Sequence, residues 1–325
     1  MKVMVTGATG LIGNRLVGVL QSEGHQVVAL VRDPERARGI LHEEVALRRG
    51  DVTDRDSVAA ALDGCELVFH AAGVPEQWQK DPQVFDRVNC GGTRYVLEAA
   101  LAAGVKRVVY TSTLDVFAAE PNGTVVETRL DPNPKPTAYE RSKQAADREA
   151  ERIRERGLDL VHVCPGAVYG PSPVHIGLNS FFIKLLNRAS PMLPPGGLSY
   201  LYVDNCARAH RAAALAGVSG ERYLIADGHA DNRELAREIL ARSDLRRVPP
   251  VAPLWLLKGV AIGGEAIARH FEVNPLVALG QLSFMQWNVR VDTRKAQREL
   301  GFVPFALADG VAQTVASLRK QGLVP

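Results

Sequence analysis

Much of what this chain does not contain narrows what it is. Its 325 residues include four cysteines, Cys65, Cys90, Cys164 and Cys206, widely spaced and with no Cys-x-x-Cys pair. Disulfide frameworks and zinc sites need clustered thiols, so these four read as small apolar core residues that suit a reducing cytoplasm. The eight histidines form no pair at metal-ligand spacing, and no metal is expected. No block of like charge exists either. The 39 basic and 36 acidic residues leave a net charge of +3 and are interleaved, as in Arg32-Asp33-Pro34-Glu35-Arg36. A nucleic-acid footprint is therefore excluded. The most apolar stretch, residues 254–268, is interrupted by Lys258 and Glu265. It falls short of the ~20 residues that span a bilayer. A buried or amphipathic helix is expected there, with weak peripheral membrane contact as the lesser alternative. The apolar run Val3-Met4-Val5 stops at Thr6-Gly7, too early for a signal peptide, and a cytoplasmic location is expected. Internal repeats and low-complexity segments are lacking as well.

What is present is an ordinary globular composition, 46% hydrophobic and 23% charged. Short β-branched runs at 2–6, 26–31, 46–50, 67–71, 107–111 and 160–164 alternate with helical patterns. They are continuous rather than alternating in polarity, as parallel strands covered on both faces require. Between them, Thr53 and Asp56 suggest a capped helix through Leu62. Asp81-Pro82 suggests a cap and first-turn proline for one long helix ending before Gly104, and a further helix is expected from Ala138 to Arg156, stopped by Gly157. The pattern predicts an α/β fold, a doubly wound parallel Rossmann sheet over residues 1–165, with ligands at the carboxyl ends of the strands. After Cys164 the chain becomes proline- and glycine-punctuated. A smaller C-terminal substrate lobe is expected from 166–197 and 227–325. Short strands at 200–203 and 222–226 are expected to return segment 198–226 to the first domain.

The segment Thr6-Gly7-Ala8-Thr9-Gly10-Leu11-Ile12-Gly13 ends the first strand and opens a helix. Glycines are needed where a side chain would block a pyrophosphate or the helix–strand contact, and the helix N-terminus offers N–H groups and a positive dipole end. Gly7, Thr9, Gly10, Leu11, Ile12 and Gly13 are thus candidate dinucleotide contacts. The second strand distinguishes the two dinucleotides. An NAD site places a carboxylate at its end for the ribose 2′-hydroxyl, whereas Arg32, with Arg36 as a second contact, would meet a 2′-phosphate. NADP(H) is favoured over NAD(H). The competing assignment makes Arg32 a solvated residue and Asp33 the ribose ligand.

Tyr139 and Lys143 lie four apart, one turn along a single helix face. A phenol has a pKa near ~10, and a fixed cation lowers it toward use as a proton donor or acceptor at a carbonyl or alcohol oxygen. Val109-Tyr110 leads into Thr111-Ser112-Thr113 at the end of the fifth strand, where a hydroxyl can stabilise charge developing on oxygen.

Taken together these residues resemble the extended short-chain dehydrogenase/reductase family, over nearly the whole chain. Thr6 to Gly13 resembles its glycine loop, and Asp51-Val52 its adenine-side acidic pair position. His70-Ala71-Ala72-Gly73 resembles the stretch after its fourth strand, and Val88-Asn89-Cys90-Gly91-Gly92-Thr93 its central helix. Pro165-Gly166-Ala167-Val168-Tyr169-Gly170-Pro171 resembles the segment beside the nicotinamide. The resemblance implies that Asp51, Val52, Ala71, Ala72, Gly73, Thr111, Pro165, Gly166 and Val168 join the cofactor site. It also implies that Tyr139, Lys143 and Thr113 form the catalytic triad, with Ser112 as the fallback hydroxyl. Lys143 would hold the nicotinamide ribose, and Asn89 would help place that lysine. Leu30 to Pro34 is similar to the dihydroflavonol-reductase-like branch. Tyr202 to His210, Val291 to Ala296 and Leu300 to Pro304 are similar to the 3β-hydroxysteroid dehydrogenase branch.

Both branches act on alcohols or ketones on apolar skeletons, which implies a small-molecule oxidoreductase. Nucleotide-sugar enzymes carry Arg-Asp before the Tyr-Val-Asp strand, where this chain has Leu198-Ser199. An epimerase or dehydratase that retains its cofactor is the alternative enzyme, with Arg188, Arg208 and Arg290 as its phosphate candidates. A non-catalytic NADP(H) sensor is the alternative outside enzymes. Trp78 is either a substrate wall or ordinary packing. Asp115 is either a second acid/base group or a solvated or capping carboxylate. The apolar segments 181–186 and 254–261 are candidate substrate walls, and the helices near 81–103 and 138–156 are candidates for a homodimer contact by analogy.

Overall fold

The computed structural model describes the chain except residues 76, 77, 121, 246, 272–274, 276, 281 and 283–287. Its frame is a seven-stranded sheet in which every pairing is parallel. Strands β1 (Lys2–Thr6), β2 (Gln26–Val31), β3 (Ala46–Arg49), β4 (Leu67–His70) and β5 (Arg107–Thr111) match the apolar runs to within a residue. So does β8 (Leu160–Pro165). With β11 (Arg222–Ile225) at the edge, the order is β11-β8-β5-β4-β1-β2-β3. The order reverses beside β1, which makes the β1/β4 boundary the switch point where doubly wound sheets bind ligands.

The continuous runs are explained by burial on both sides. Val3, Val5, Val27, Ala29 and Phe69 face one layer, formed by α1 (Leu11–Ser22), α8 (Val203–Ala216) and the helix Arg294–Leu300. Met4, Val28, Leu30, Val68 and Tyr110 face the other. That layer contains α3 (Arg55–Ala61), α5 (Thr93–Ala102) and α6 (Ala138–Arg154). Neighbouring residues of one strand alternate between the layers, as the two-residue period of a strand demands.

Two expectations are corrected. The helix of residues 55–61 is capped by Asp54, which accepts from the Asp56 N–H, rather than by Thr53. The long helix expected from Asp81 is present: Asp81 accepts from the Gln83 N–H, and α4 (Gln83–Phe85), a π turn over Asp86–Gly92, and α5 follow one another with right-handed helical backbone at each junction. Gly92 lies close against Val52, where a Cβ would be 2.8 Å from that side chain. The expected strand at 200–203 is β10 (Gly197–Tyr202), and it does not return to the main sheet. It forms a separate three-stranded sheet with β9 (Ala167–Tyr169) and β12 (Gly228–Asp231). Segment 222–225 does return, as β11.

A second core lies under the small sheet, built by Tyr169, Tyr202, α7 (Gly177–Leu186), α9 (Asn232–Leu240) and the helix Leu307–Lys320. Phe182, Leu185 and Leu186 are buried in it, so most of the apolar segment expected to wall a substrate fills this core instead. The other such segment opens α10 (Leu254–His270), where Trp255 is 74% exposed. Among the described residues, no helix is long and apolar enough to cross a membrane. Strands β6 (Phe117–Ala119), β7 (Thr124–Leu130) and β13 (Arg290–Val291) make a third sheet, packed on Cys164 of β8 and Leu224 of β11.

Helix α6 is tied to the sheet by a buried ionic contact. Asp147 takes two hydrogen bonds from Arg222 of β11, at 2.7 and 3.3 Å, and His162 Nδ1 of β8 lies 3.2 Å from its Oδ1, the oxygen that accepts the longer of them. Burial pushes the Asp147 carboxyl up, but His162 and Arg222 outweigh it and hold it well below the usual carboxylate range. Stability from such a group is present above the unfolded carboxylate pKa and is lost as pH falls through the folded one. Arg222→Met leaves Asp147 buried without its cation. We expect a loss of about 3 to 5 kcal/mol at pH 7. The deficit should narrow as the pH is lowered to about 3, where the orphaned carboxyl is protonated. Denaturant unfolding at the two pH values checks this, and an equal deficit at both would sink the assignment.

Candidate active site

The carboxyl ends of β8, β5, β4, β1 and β2 lie side by side, in register from Thr111 opposite Val163 to Thr6 opposite Leu30. They bring the Gly7 turn, Arg32, Ala71–Gly73, Thr111–Thr113 and Pro165-Gly166 to one edge of the sheet, with Asp51 after β3 beyond them. Gly7 has φ 69°, the left-handed region, and a Cβ there would meet the Ala71 carbonyl at 2.6 Å. A Cβ on Gly13 would collide with the Gly7 carbonyl. Helix α1 then starts at Leu11 with Gly10 as its cap residue, so no side chain competes for the N–H groups of its first turn. This cradle fits a pyrophosphate.

A buried polar chain fixes the cradle's floor. Thr93 Oγ1 donates to the Asn89 carbonyl at 2.6 Å. Its one proton is then used, so it must accept from His70 Nε2, 3.0 Å away. That leaves His70 Nδ1 as the acceptor for the Thr6 hydroxyl at 2.7 Å, and Thr6 Oγ1 in turn accepts the Ala72 N–H at 3.2 Å. Burial pushes His70 down to about 3, so it stays neutral in this tautomer.

Helix α6, which carries Tyr139 and Lys143, is held in place from several sides. Thr137 and Glu140 form a reciprocal capping box at its start, with bonds of 3.1 and 3.0 Å. This Thr-x-x-Glu was present in the sequence but missing from the expectations above. Asn89, in the π turn, pairs with both main-chain groups of Val74 and donates to Ser142 Oγ at 3.0 Å. Ser142 donates to the Tyr139 carbonyl at 2.6 Å. Asn89 therefore acts on α6 through the residue before Lys143. The Lys143 ammonium, buried, donates to Tyr110 Oη and to the Thr111 carbonyl, each at 3.0 Å. It also lies 4.8 Å from the centre of the Tyr110 ring. Burial brings its pKa down to about 8. Tyr110, absent from the expected site, is held protonated by its own burial, with a pKa pushed well above the usual phenol value. Tyr139 is half-buried and its ring meets the Phe85 ring edge-on, 6.3 Å between centroids.

The hydroxyls at the end of β5 have distinct partners. His210 Nδ1 donates to the Cys206 carbonyl at 2.8 Å, so its Nε2 accepts from Thr111 Oγ1, also at 2.8 Å. Thr111 thus serves the site through its carbonyl. Among the described residues, Ser112 Oγ is buried without a hydrogen-bond partner of regular geometry, near the Cys164 thiol. Thr113 Oγ1 lies 2.8 Å from Asp115 Oδ2, and Asp115 is buried rather than solvated. After β3, Asp51 accepts from the N–H and hydroxyl of Thr53, and Val52 is buried against Gly92. Asp33 caps α2 (Pro34–Arg38) by accepting from the Arg36 N–H, while Arg32 and Arg36 are exposed. Gly166 packs on β10, where a Cβ would lie 2.5 Å from the Ser199 carbonyl. Ala167 and Val168 belong to β9, and Trp78 is half-buried.

Residues 3–226 match the NAD dependent epimerase/dehydratase family. The chain is 28% identical over 330 residues to sterol demethylase protein B of Methylococcus capsulatus, covering 100% of each. It is 32% identical over 260 residues to cinnamoyl-CoA reductase 1 of Arabidopsis thaliana, covering 74% of each. The UDP-glucose 4-epimerase of Thermotoga maritima shares its fold, with a TM-score of 0.80 at 21% identity over 99% of both chains. A glycine cradle at the switch point, a Tyr-x-x-x-Lys helix docked on the end of β5 and this match over most of its length agree. The chain belongs to the NAD-dependent epimerase/dehydratase family of extended short-chain dehydrogenases/reductases.

Proposed function

We propose that this chain is an NADP(H)-dependent oxidoreductase that interconverts a ketone and a secondary alcohol on a largely apolar small molecule. The observation that carries the reading is the docking of Lys143. Its buried ammonium is fixed on Tyr110 and on the carbonyl of Thr111, the residue that leads into Ser112 and Thr113, one helical turn beyond Tyr139. A bound nicotinamide supplies or takes up the hydride. Tyr139 gives a proton to the substrate oxygen in reduction and takes it back in oxidation. Thr113 orients that oxygen and meets its developing charge. Lys143 holds positive charge near the phenol, which favours the phenolate. The Gly7–Gly13 turn and the first turn of α1 hold the pyrophosphate, and the Gly166 strand junction lies on the nicotinamide side.

Two features support the substrate class. Leu198 is buried in the second core and Ser199 donates to the Val289 carbonyl at 3.0 Å. This uncharged pair stands where nucleotide-sugar enzymes carry Arg-Asp, and a diphosphate wants paired arginines. One relative's name specifies a sterol and another's a reductase. The phosphate preference is supported by the exposed Arg32 and Arg36 beside the end of β2, where Asp33 serves as the cap of α2.

Reduction of hydrophobic ketones, followed as NADPH absorbance, should proceed with one cofactor consumed per product. Tyr139→Phe should retain dinucleotide affinity and lose on the order of 10²–10⁴ in kcat, the worth of a positioned acid or base. Epimerised nucleotide sugar at constant cofactor redox state, without ketone reduction, would replace this reading by the epimerase.

Arg32→Asp should shift affinity from NADPH toward NADH, because it removes a phosphate ligand and adds a carboxylate that repels the 2′-phosphate. Fluorescence titration of both dinucleotides checks this. Equal affinity of the unaltered protein for the two would defeat the assignment.

A further inference from the structure

The end of β5 closes in a tight turn that joins Thr113 to Asp115. Thr113 precedes the 3₁₀ turn Leu114–Val116, its Oγ1 lies 2.8 Å from Asp115 Oδ2, and the Asp115 N–H donates back to the same oxygen at 3.3 Å. Thr113 is 6% exposed and Asp115 2%. The second carboxyl oxygen, Oδ1, is buried without a hydrogen-bond partner. A carboxylate demands donors on both oxygens, and an orphaned buried charge is costly. A neutral acid demands far less. The titratable groups around Asp115 come from several elements. Glu140 on α6 opposes its ionisation, while Lys143 on α6 and Lys135 ahead of it favour it. Lys135 is itself engaged with Asp131 and the Phe117 carbonyl. Cys164 of β8 lies in the apolar cluster that buries Leu114 and Val116. Desolvation prevails and pushes Asp115 up to about 6.

We propose that Asp115 is a positioning residue that decides whether the hydroxyl proton of Thr113 is available to the substrate oxygen. This rests on the reading above, in which Thr113 is the hydroxyl that meets that oxygen. A threonine has one proton to give. When Asp115 is ionised, that proton is held in the Thr113–Asp115 bond, and the substrate oxygen finds only a lone pair. When Asp115 is neutral, the acid donates to Thr113 Oγ1, and the threonine proton turns to the carbonyl or to the developing alkoxide. Charge on oxygen is stabilised by donors, so the neutral form is the competent one. Oxidation and reduction share a transition state, and the requirement applies to both. Asp115 itself touches neither substrate nor cofactor.

The test is the pH dependence of kcat and KM on the full chain, with saturating NADPH and a hydrophobic ketone. The unaltered protein should lose kcat as pH rises through the Asp115 pKa, a limb below the one expected from Lys143. In Asp115→Asn the amide N–H donates to Thr113 at every pH. That variant should match the parent within about threefold at low pH and exceed it by roughly tenfold or more two units above the limb, with KM little changed. An unchanged limb in Asp115→Asn, or a folded variant inactive at every pH, overturns the proposal. Thr113→Ala keeps Asp115 and should show a low kcat from which the limb is gone. If Asp115→Asn does not fold, persistence of the limb in Thr113→Ala overturns the proposal by itself. Full turnover in Thr113→Ala also overturns it, but leaves the oxidoreductase reading standing. Ketone reduction undiminished in Tyr139→Phe, or absent in the parent, overturns that reading instead.

Discussion

The architecture of the site depends on where one proton goes. Because the Thr93 hydroxyl is spent on the Asn89 carbonyl, His70 must donate through Nε2 and accept through Nδ1, and Thr6 must donate to it. Thr6, His70, Asn89 and Thr93 are all buried, where each hydrogen bond of the chain counts for more than it would in water. The result joins the ends of β1 and β4 to the π turn in a single arrangement. Gly7 begins directly after Thr6, and Ala72 is the neighbour its turn packs against. The loop that fits a pyrophosphate is thus held by a hydrogen-bond parity argument carried out one layer below it. The π turn belongs to the same argument, since it presents the Asn89 carbonyl to Thr93 and its side chain to Val74 and Ser142.

From that turn the constraint passes to α6. A helix docked on a sheet can slide or rotate unless several different kinds of contact hold it. Here the capping box fixes where it starts, and Asn89 with Ser142 fixes its first turn. Lys143 fixes it to the end of β5, and Asp147 fixes the next turn to β8 and β11. Lys143 and Asp147 are one turn apart, so the same helix face carries a cation into one side of the sheet end and an anion into the other. Tyr139 sits at the beginning of this run, with its ring edge-on to Phe85.

The strands were legible because parallel strands buried on both faces leave unbroken apolar runs, and all six of the N-terminal runs proved to be strands within a residue. The glycine turn and the Tyr139–Lys143 pair were legible because their spacing alone implies a geometry. Partners distant in sequence were not. Nothing local in the neighbourhoods of Asp147 and Arg222 indicates that they meet, 75 residues apart. The strand at residues 197–202 has the composition of its neighbours, and composition does not say which sheet accepts it. The π turn hid inside a helical pattern, because two glycines in a helix read as tolerated rather than as a local change of pitch. Residues 181–186 show the same limit in reverse. An apolar stretch in a substrate lobe packs equally well into a pocket wall or a core, and only packing against α9 and the C-terminal helix decided for the core. For Asp115 the sequence left open an acid/base group or a solvated or capping carboxylate, because most carboxylates are exposed and only the packed structure shows this one buried.

Burial explains the electrostatics of the site's inner wall more fully than pairing does. Lys143 and Asp115 favour each other's charged form, yet desolvation is the leading influence on both. It moves the ammonium down to about 8 and the carboxyl up to about 6. The two do not close into an ion pair. The lysine spends its protons on a phenol and a carbonyl, both neutral, and the acid faces a hydroxyl. A closed ion pair would have locked both groups in their charged forms and removed them from the reaction. Kept apart and desolvated, they titrate on either side of neutrality. Near pH 7 a cation then stands by the phenol, while the group beside the threonine is mostly carboxylate and within about a unit of gaining its proton. A site that moves a proton to and from oxygen needs that separation of neighbouring titrations.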